Sequence, residues 1–70
     1  MRLSNLAEAT AILLRYSDTW HVNVDAEIGA IFIGDSKMHA PEALSKEDRD
    51  RLEALGWRWS DTFADWQHFT

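Results

Sequence analysis

Apolar and polar residues alternate along this chain with two different periods, and the changes of period divide the first half into three elements. Residues 6–17 place apolar side chains three or four positions apart, which predicts a helix. Asn5 and Glu8 have the spacing of a helix N-cap and its capping-box acid, so we expect this helix to begin after Asn5. Residues 20–25 alternate apolar with polar, which predicts a half-buried strand. The continuously apolar run 30–33 suits a central strand, joined to the first by a hairpin.

The second half repeats this order. Residues 37–44 form a predicted loop. Ser45 is a favourable N-cap for a second helix, and Gly56 is placed to end that helix in the left-handed conformation. Trp57 then opens a third predicted strand, and residues 66–69 form a fourth.

The resulting order is α-β-β-α-β-β, which predicts an α+β fold. We expect residues 1–70 to form a single globular domain, a two-layer sandwich with two helices on one face of a small antiparallel sheet. The other face of the sheet is then free to carry function. The core has to come from aromatic and aliphatic side chains or from a second copy of the chain, because the chain has no cysteine for a disulfide.

Composition narrows the classes of function. Twelve acidic residues against seven basic ones give a net charge of −5, which argues against direct binding of nucleic acid. The sequence contains no run of apolar residues long enough to span a membrane and no signal peptide. We therefore expect a soluble protein of the cytoplasm.

Residues with catalytic or metal-binding chemistry do not form a recognisable motif. His21, His39 and His68 lack the spacing of metal ligands, and no serine lies in a nucleophile elbow. Asp25 and Glu27 could form an acid–base pair, but a solvated turn explains them better. We therefore predict no enzymatic activity, no metal and no cofactor.

Two kinds of residue are candidates for contacting a partner. The first kind is acidic and could meet a basic groove of a host protein, including one that normally holds nucleic acid; otherwise these acids serve solubility. The candidate acids are Asp25, Glu27, Asp35, Glu47 and Asp48. The second kind is aromatic: Phe63 and Trp66, next to a predicted turn, could anchor an interface while the other tryptophans pack in the core.

Two further hypotheses compete with a partner-binding protein. The polar stripe of the first predicted helix is narrow, consisting essentially of Glu8 and Arg15. A second copy could cover this helix, which would make the protein a structural or regulatory homodimer. A small ligand-binding domain is the remaining alternative, and it requires a concave apolar pocket with convergent polar groups.

About three quarters of the chain resembles a set of small proteins encoded by bacteriophages and prophages. In those proteins a leader of the form S-E-E-D precedes L-E-x-L-G-W-x-W-D, and the chain ends in W-x-x-F-T. The matching positions here are residues 44–48, 52–59, 61, 66 and 69–70. The first hairpin is similar to their S-A-E-H-D-x-I-Y-V-G segment, except that Ile28 and Gly29 replace His and Asp.

This resemblance implies a bacterial cytoplasm during infection as the setting. Small acidic phage proteins are often inhibitors of host defence, anti-CRISPR proteins among them. The resemblance assigns no site residue, because the matching positions are mostly packing and capping residues. The leading hypothesis is a phage-type protein that binds a host protein or complex and blocks it sterically.

Overall fold

The fold is α+β, with two helices packed on one face of a four-stranded antiparallel sheet. A computed structural model of the protein describes residues 1–35 and 41–69. The elements are α1 (Leu3–Leu14), β1 (His21–Asp25), β2 (Ala30–Gly34), a short 3-10 helix (Pro41–Ala43), α2 (Lys46–Ala54), β3 (Arg58–Ser60) and β4 (Asp65–Phe69). The strand order is β1-β2-β4-β3. The predicted class and element order are therefore confirmed; Thr70 and the first half of the predicted loop 37–44, which includes His39, lie outside the described residues.

The start of α1 differs from the prediction. The helix begins at Leu3, with Arg2 in an extended conformation at the N-cap and no side-chain capping bond. Asn5 already lies inside the helix, where its amide donates to the Arg2 carbonyl at 3.0 Å. The expected capping box at Asn5 and Glu8 is therefore wrong, and the Glu8 carboxylate pairs with Arg51 of α2 instead.

Both predicted ends of α2 are confirmed by their hydrogen bonds. The Ser45 hydroxyl accepts from the Asp48 amide at 3.2 Å, which satisfies one free amide of the first turn. At the other end Gly56 has φ of +98°, and the Trp57 amide donates to the Leu52 carbonyl at 3.0 Å. This pattern is a Schellman motif, in which glycine is favoured because its left-handed backbone carries no Cβ penalty.

The core lies between the helices and the inner face of the sheet. It is formed by buried side chains from both helices, from the connecting segments and from the two central strands, namely Ala9, Ile12, Leu13, Ile33, Leu44, Leu52, Trp57 and Trp66. Trp59 packs against Trp66 edge to face, with ring centroids 5.6 Å apart. The prediction that at least two tryptophans serve the core is confirmed.

The first strand is more exposed than its alternating pattern predicts. Val22 pairs with the buried Ile33, so it faces the same side as the core, yet Val22 and Val24 are 58% and 69% exposed. The reason is position: β1 is an edge strand, and every residue of it is exposed. Alternation specifies which side chains share a face, but burial requires another element on that face.

Candidate functional site

The outer face of the sheet, opposite the helices, carries exposed and half-buried side chains of aromatic, acidic and amide type. Residues that alternate with the core positions of β1, β2 and β4 point to this side. Together with Phe63 of the β3–β4 turn they form a surface that we call the open face: His21, Asn23, Asp25, Phe32, Phe63, Asp65, Gln67 and Phe69.

Three phenylalanines give the open face its apolar centre. Phe32 and Phe69 meet edge to face with centroids 5.9 Å apart. Phe63 is 72% exposed and Phe69 is 57% exposed. Large aromatic side chains this accessible are unfavourable in water and are typical of surfaces that another molecule covers.

The Phe63 side chain forms one wall of a shallow concavity on this face. Two adjoining depressions, of about 270 Å³ and 230 Å³, share Asn23, Phe32, Phe63 and Asp65 in their walls. Both volumes are below the roughly 300–1,000 Å³ of small-molecule pockets. The shape fits a protruding side chain of a protein partner better than an enclosed small ligand.

A costly backbone conformation holds the turn that carries Phe63. Ala64 has φ of +53°, which makes it the one non-glycine residue with positive φ in the described chain. The left-handed region costs an L-residue roughly 1–2 kcal/mol. The Phe63 amide donates to the Ser60 hydroxyl at 3.3 Å, which helps to close the turn. Strained turns that persist at exposed positions are often part of a functional surface.

Carboxylates stand around the phenylalanines. Asp25 lies at one end of the open face and Asp65 at the other, since Asp25 pairs with Ala30 while Asp65 pairs with Gly34. Glu27, in the first turn, donates its amide to the Asp25 carboxylate at 3.1 Å, which fixes the orientation of that carboxylate. The Asp65 carboxylate accepts from the Gln67 amide group at 2.8 Å. The open face therefore combines an apolar centre with negative charge.

Asp35 does not belong to an exposed acidic patch, which corrects its prediction as a partner-binding residue. It is 6% exposed and accepts hydrogen bonds from the Ser17 hydroxyl at 2.8 Å and the Thr19 hydroxyl at 2.6 Å. These bonds attach the segment after α1 to the end of β2. Its carboxylate has a structural role because its oxygens are directed at hydroxyls of the same chain.

The acids of α2 lie in the other layer of the protein, away from Asp25 and Glu27. Asp48 accepts from the Tyr16 hydroxyl and pairs with Arg15 at 3.0 Å, both at the C-terminal end of α1. Trp20 fixes that end of α1 beside the start of β1, because its indole N–H donates to the Leu13 carbonyl at 2.7 Å. Asp25 is at the opposite end of β1, about 13 Å along the strand.

The contacts of Asp48 identify it as a link between the helices. The hydrogen bond from Tyr16, with the nearby Arg15 charge, lowers the pKa of Asp48 below its usual value despite some desolvation. Glu8 has a similar role, since its hydrogen bonds with Arg51 lower the pKa of the Glu8 carboxyl. Glu47 is exposed on α2. Because Asp48 is paired with α1 and the acids of α2 lie in the helical layer, they do not form one acidic surface with Asp25 and Glu27 of the first hairpin.

Trp66 is also corrected as a predicted interface anchor. Its side chain is 2% exposed and packs in the core beside Trp59, so no partner can reach it on this surface. Phe63, by contrast, lies where the sequence placed it, exposed at the turn. Side chains alternate between the two sides of β4, so Trp66 points into the core while its neighbours Asp65 and Gln67 point to the open face.

Sequence reasoning missed six members of the open face as partner contacts: His21, Asn23, Phe32, Asp65, Gln67 and Phe69. A usable signal was present for Phe32, because it alternates with Ile31 and Ile33 in a strand predicted to be apolar on both faces. One of these two faces had to be the side without helices.

A second concavity lies between the two helices. This groove has a volume of about 900 Å³, and its walls include Glu8, Arg15, Asp48 and Arg51. These four side chains pair with one another across the groove as Glu8–Arg51 and Arg15–Asp48. These four charged groups therefore already have partners within the chain, and the groove acts as the contact zone of α1 and α2.

The part of the chain that the structure describes contains no group of three or more His, Asp or Glu side chains arranged to hold a metal ion. Neither of the two described helices combines the length and hydrophobicity needed to cross a bilayer. Comparisons with protein-family models, with curated proteins and with solved structures found no match.

Proposed function

We propose that this protein acts by binding another protein through the open face of its sheet, without catalysing a reaction. The observation that carries the proposal is the exposure of Phe63 and Phe69 on the sheet face opposite the two described helices. Aromatic side chains are enriched at the centres of protein interfaces, where their burial supplies most of the binding energy.

The partner that best fits this face presents lysine or arginine side chains around an apolar site. Asp25, Glu27 and Asp65 would meet these cations at the edge of the contact, while Phe63 and Phe32 receive apolar groups. Opposite charges raise the association rate and orient the encounter. We propose no direct contact with nucleic acid, because the same carboxylates would repel a phosphate backbone.

Steric occlusion is the mode of action that we propose. A basic surface of the partner that normally holds nucleic acid would attract Asp25, Glu27 and Asp65. The bound domain would then cover that basic surface. The resemblance to phage proteins makes a host protein complex in the bacterial cytoplasm, such as a CRISPR effector, the proposed target. This identification of the target rests on the resemblance alone.

Capture from a bacterial lysate with active defence systems tests the binding face. The tagged protein is compared with Phe63→Ala and with Thr62→Ala, a neighbouring exposed residue of the same turn. We expect one stoichiometric partner with wild type and Thr62→Ala, and at least a tenfold weaker interaction with Phe63→Ala, the size typical of an interface anchor. Equal capture by both variants would exclude Phe63 as an anchor.

The charge contribution is tested separately on the captured partner. The double variant Asp25→Lys with Glu27→Lys should bind more slowly than wild type, and the difference should shrink as salt concentration rises. Binding that is unchanged at every salt concentration would contradict an acidic contact. A plating assay, in which expression of the protein restores growth of a phage targeted by CRISPR immunity, tests the proposed target.

A further inference from the structure

The exposed edge of the sheet has a sequence that is complementary to itself. The edge strand β1 reads His21-Val22-Asn23-Val24-Asp25, and all five residues are exposed. If a second β1 pairs with it antiparallel about Asn23, His21 lies opposite the partner's Asp25 and Val22 opposite the partner's Val24. Each opposition occurs twice, as a twofold axis requires. Imidazole therefore meets carboxylate on one face, and valine meets valine on the other.

The valine side of this edge continues into an exposed apolar surface on α1. Leu3, Ala7 and Leu14 are exposed and lie within roughly 40° of one another around the helix. A depression lined by Leu14, Trp20 and Val22 places the Leu14 end of this stripe beside β1. We call the combined area the edge surface: Leu3, Ala7, Leu14, Val22 and Val24.

We propose that the edge surface is a homodimer interface, in which two copies of β1 pair antiparallel about Asn23 to form one continuous eight-stranded sheet. A second copy is the occupant because β1 is complementary to its own sequence in this register: each imidazole faces a carboxylate that can accept its N–H, and each valine faces a valine. The pairing also covers an unprotected strand edge.

The inference does not rest on the proposed function, although His21, Asn23 and Asp25 belong both to the open face and to the paired strand. With valines opposite valines, both copies keep the same face toward the helices, so the dimer presents two open faces side by side. A dimer would form whether or not the open face binds a partner, and loss of dimerisation would leave each open face intact.

Sedimentation equilibrium of the full chain tests the proposal. We expect the average mass to rise from 8.1 kDa toward twice that value as protein concentration increases through about 10 µM. Val24→Lys, which places a charge at the centre of the edge surface, should remain at 8.1 kDa throughout. Thr62→Lys adds the same charge away from the edge surface, in the turn between β3 and β4, and should behave like wild type.

A charge exchange tests the register itself and guards against misfolding of Val24→Lys. Asp25→Lys alone sets lysine against the partner's His21 twice, and should weaken dimerisation roughly tenfold. Adding His21→Glu restores opposite charges and should recover most of that loss. Three results would each overturn the proposal: a monomeric wild type at about 100 µM, a Val24→Lys variant that still dimerises, or a double variant that is weaker than Asp25→Lys.

Discussion

Gly56 lies directly against His68: a Cβ added at position 56 would stand 2.9 Å from the His68 Nε2 atom. Gly56 also has φ of +98°, a conformation that other residues adopt only with strain. A substitution of Gly56 therefore carries two separate energetic costs, the contact with His68 and the strained backbone. We expect Gly56→Ala to lower the free energy of unfolding by about 2 kcal/mol, of which the left-handed backbone accounts for about 1. Urea denaturation followed by tryptophan fluorescence measures the loss.

Two comparisons separate those costs. Gly29→Ala places alanine in a left-handed position of the first turn, where φ is +65°, and reports the backbone cost. His68→Ala removes the side chain that the new Cβ would meet. If Gly56→Ala costs the same with and without His68, the contact contributes nothing and the explanation reduces to backbone strain.

The same histidine makes stability depend on pH. Burial disfavours the charged imidazole, and the positive N-terminus adds to this effect, so the pKa of His68 lies below 6.5 in the folded protein. The unfolded chain then binds the proton more readily, and stability falls as pH drops from the unfolded value of 6.5 toward the lower folded value. At pH values above 6.5 the imidazole of His68 is neutral and no longer lowers the stability of the folded protein.

Replacing the titrating ring tests this dependence. The urea midpoint of wild type should decrease between about pH 7.5 and pH 5.5, and that of His68→Gln should decrease less. Thr62→Gln, in the exposed β3–β4 turn, is the control and should keep the slope of wild type. An identical slope in wild type and His68→Gln would show that His68 is not the group responsible.

The pattern of the chain was sufficient to predict the elements but not their surroundings. Ser45 and Gly56 carry local signals, and both helix ends were found where those signals occur. The start of α1 carries no such signal, because Arg2 makes no capping bond, and Asn5 offered a misleading alternative. Local chemistry therefore predicts a boundary only where the local bond is made.

The candidate site was less predictable because it depends on contacts distant in sequence. Asp35 is indistinguishable from a surface acid until Ser17 and Thr19 are brought to it. Trp66 and Phe63 are both aromatic residues near one turn, and only the position of the helices decides which of them is buried. Tertiary placement, which single-sequence patterns do not encode, makes these distinctions.

The contact between Tyr16 and Asp48 joins the helices, and its contribution to stability should decrease at acidic pH. Asp48 has a folded pKa below its usual 3.8, chiefly because the Tyr16 hydroxyl donates to it. The stabilisation that Asp48 provides is therefore complete when the pH is above the pKa of the unfolded chain. It is lost as the pH falls through the lower pKa of the folded protein. We expect Tyr16→Phe to lower stability near neutral pH, and the difference from wild type to shrink below about pH 3.5.

A double-variant cycle isolates this contact. The Tyr16 oxygen also accepts from the Ser45 amide at 3.2 Å, a bond that does not titrate and should account for the difference that remains in acid. Asp48→Asn and the double variant with Tyr16→Phe complete the cycle. Strictly additive losses at neutral pH would contradict a direct coupling of Tyr16 with Asp48.

The two hairpin turns provide a final test, because they have the same length and the same left-handed last position but place different residues there. Each has four residues between its strands, and the last of them is left-handed: Gly29 in the first turn and Ala64 in the second. Alanine there costs roughly 1–2 kcal/mol, while glycine adds about 0.4–1 kcal/mol of conformational freedom to the unfolded chain. Ala64→Gly should therefore raise the free energy of unfolding by roughly 0.5–1 kcal/mol, measured in urea.

The same substitution bears on function, since Ala64 follows Phe63. A freer turn should present Phe63 in more orientations, so that the stabilised variant binds a captured partner more weakly because ordering the side chain then opposes binding. Ala64→Asn tolerates the left-handed region without the mobility of glycine and should keep both stability and binding. If Ala64→Gly instead binds as tightly as wild type, the backbone conformation at Ala64 does not help to orient Phe63 for its partner.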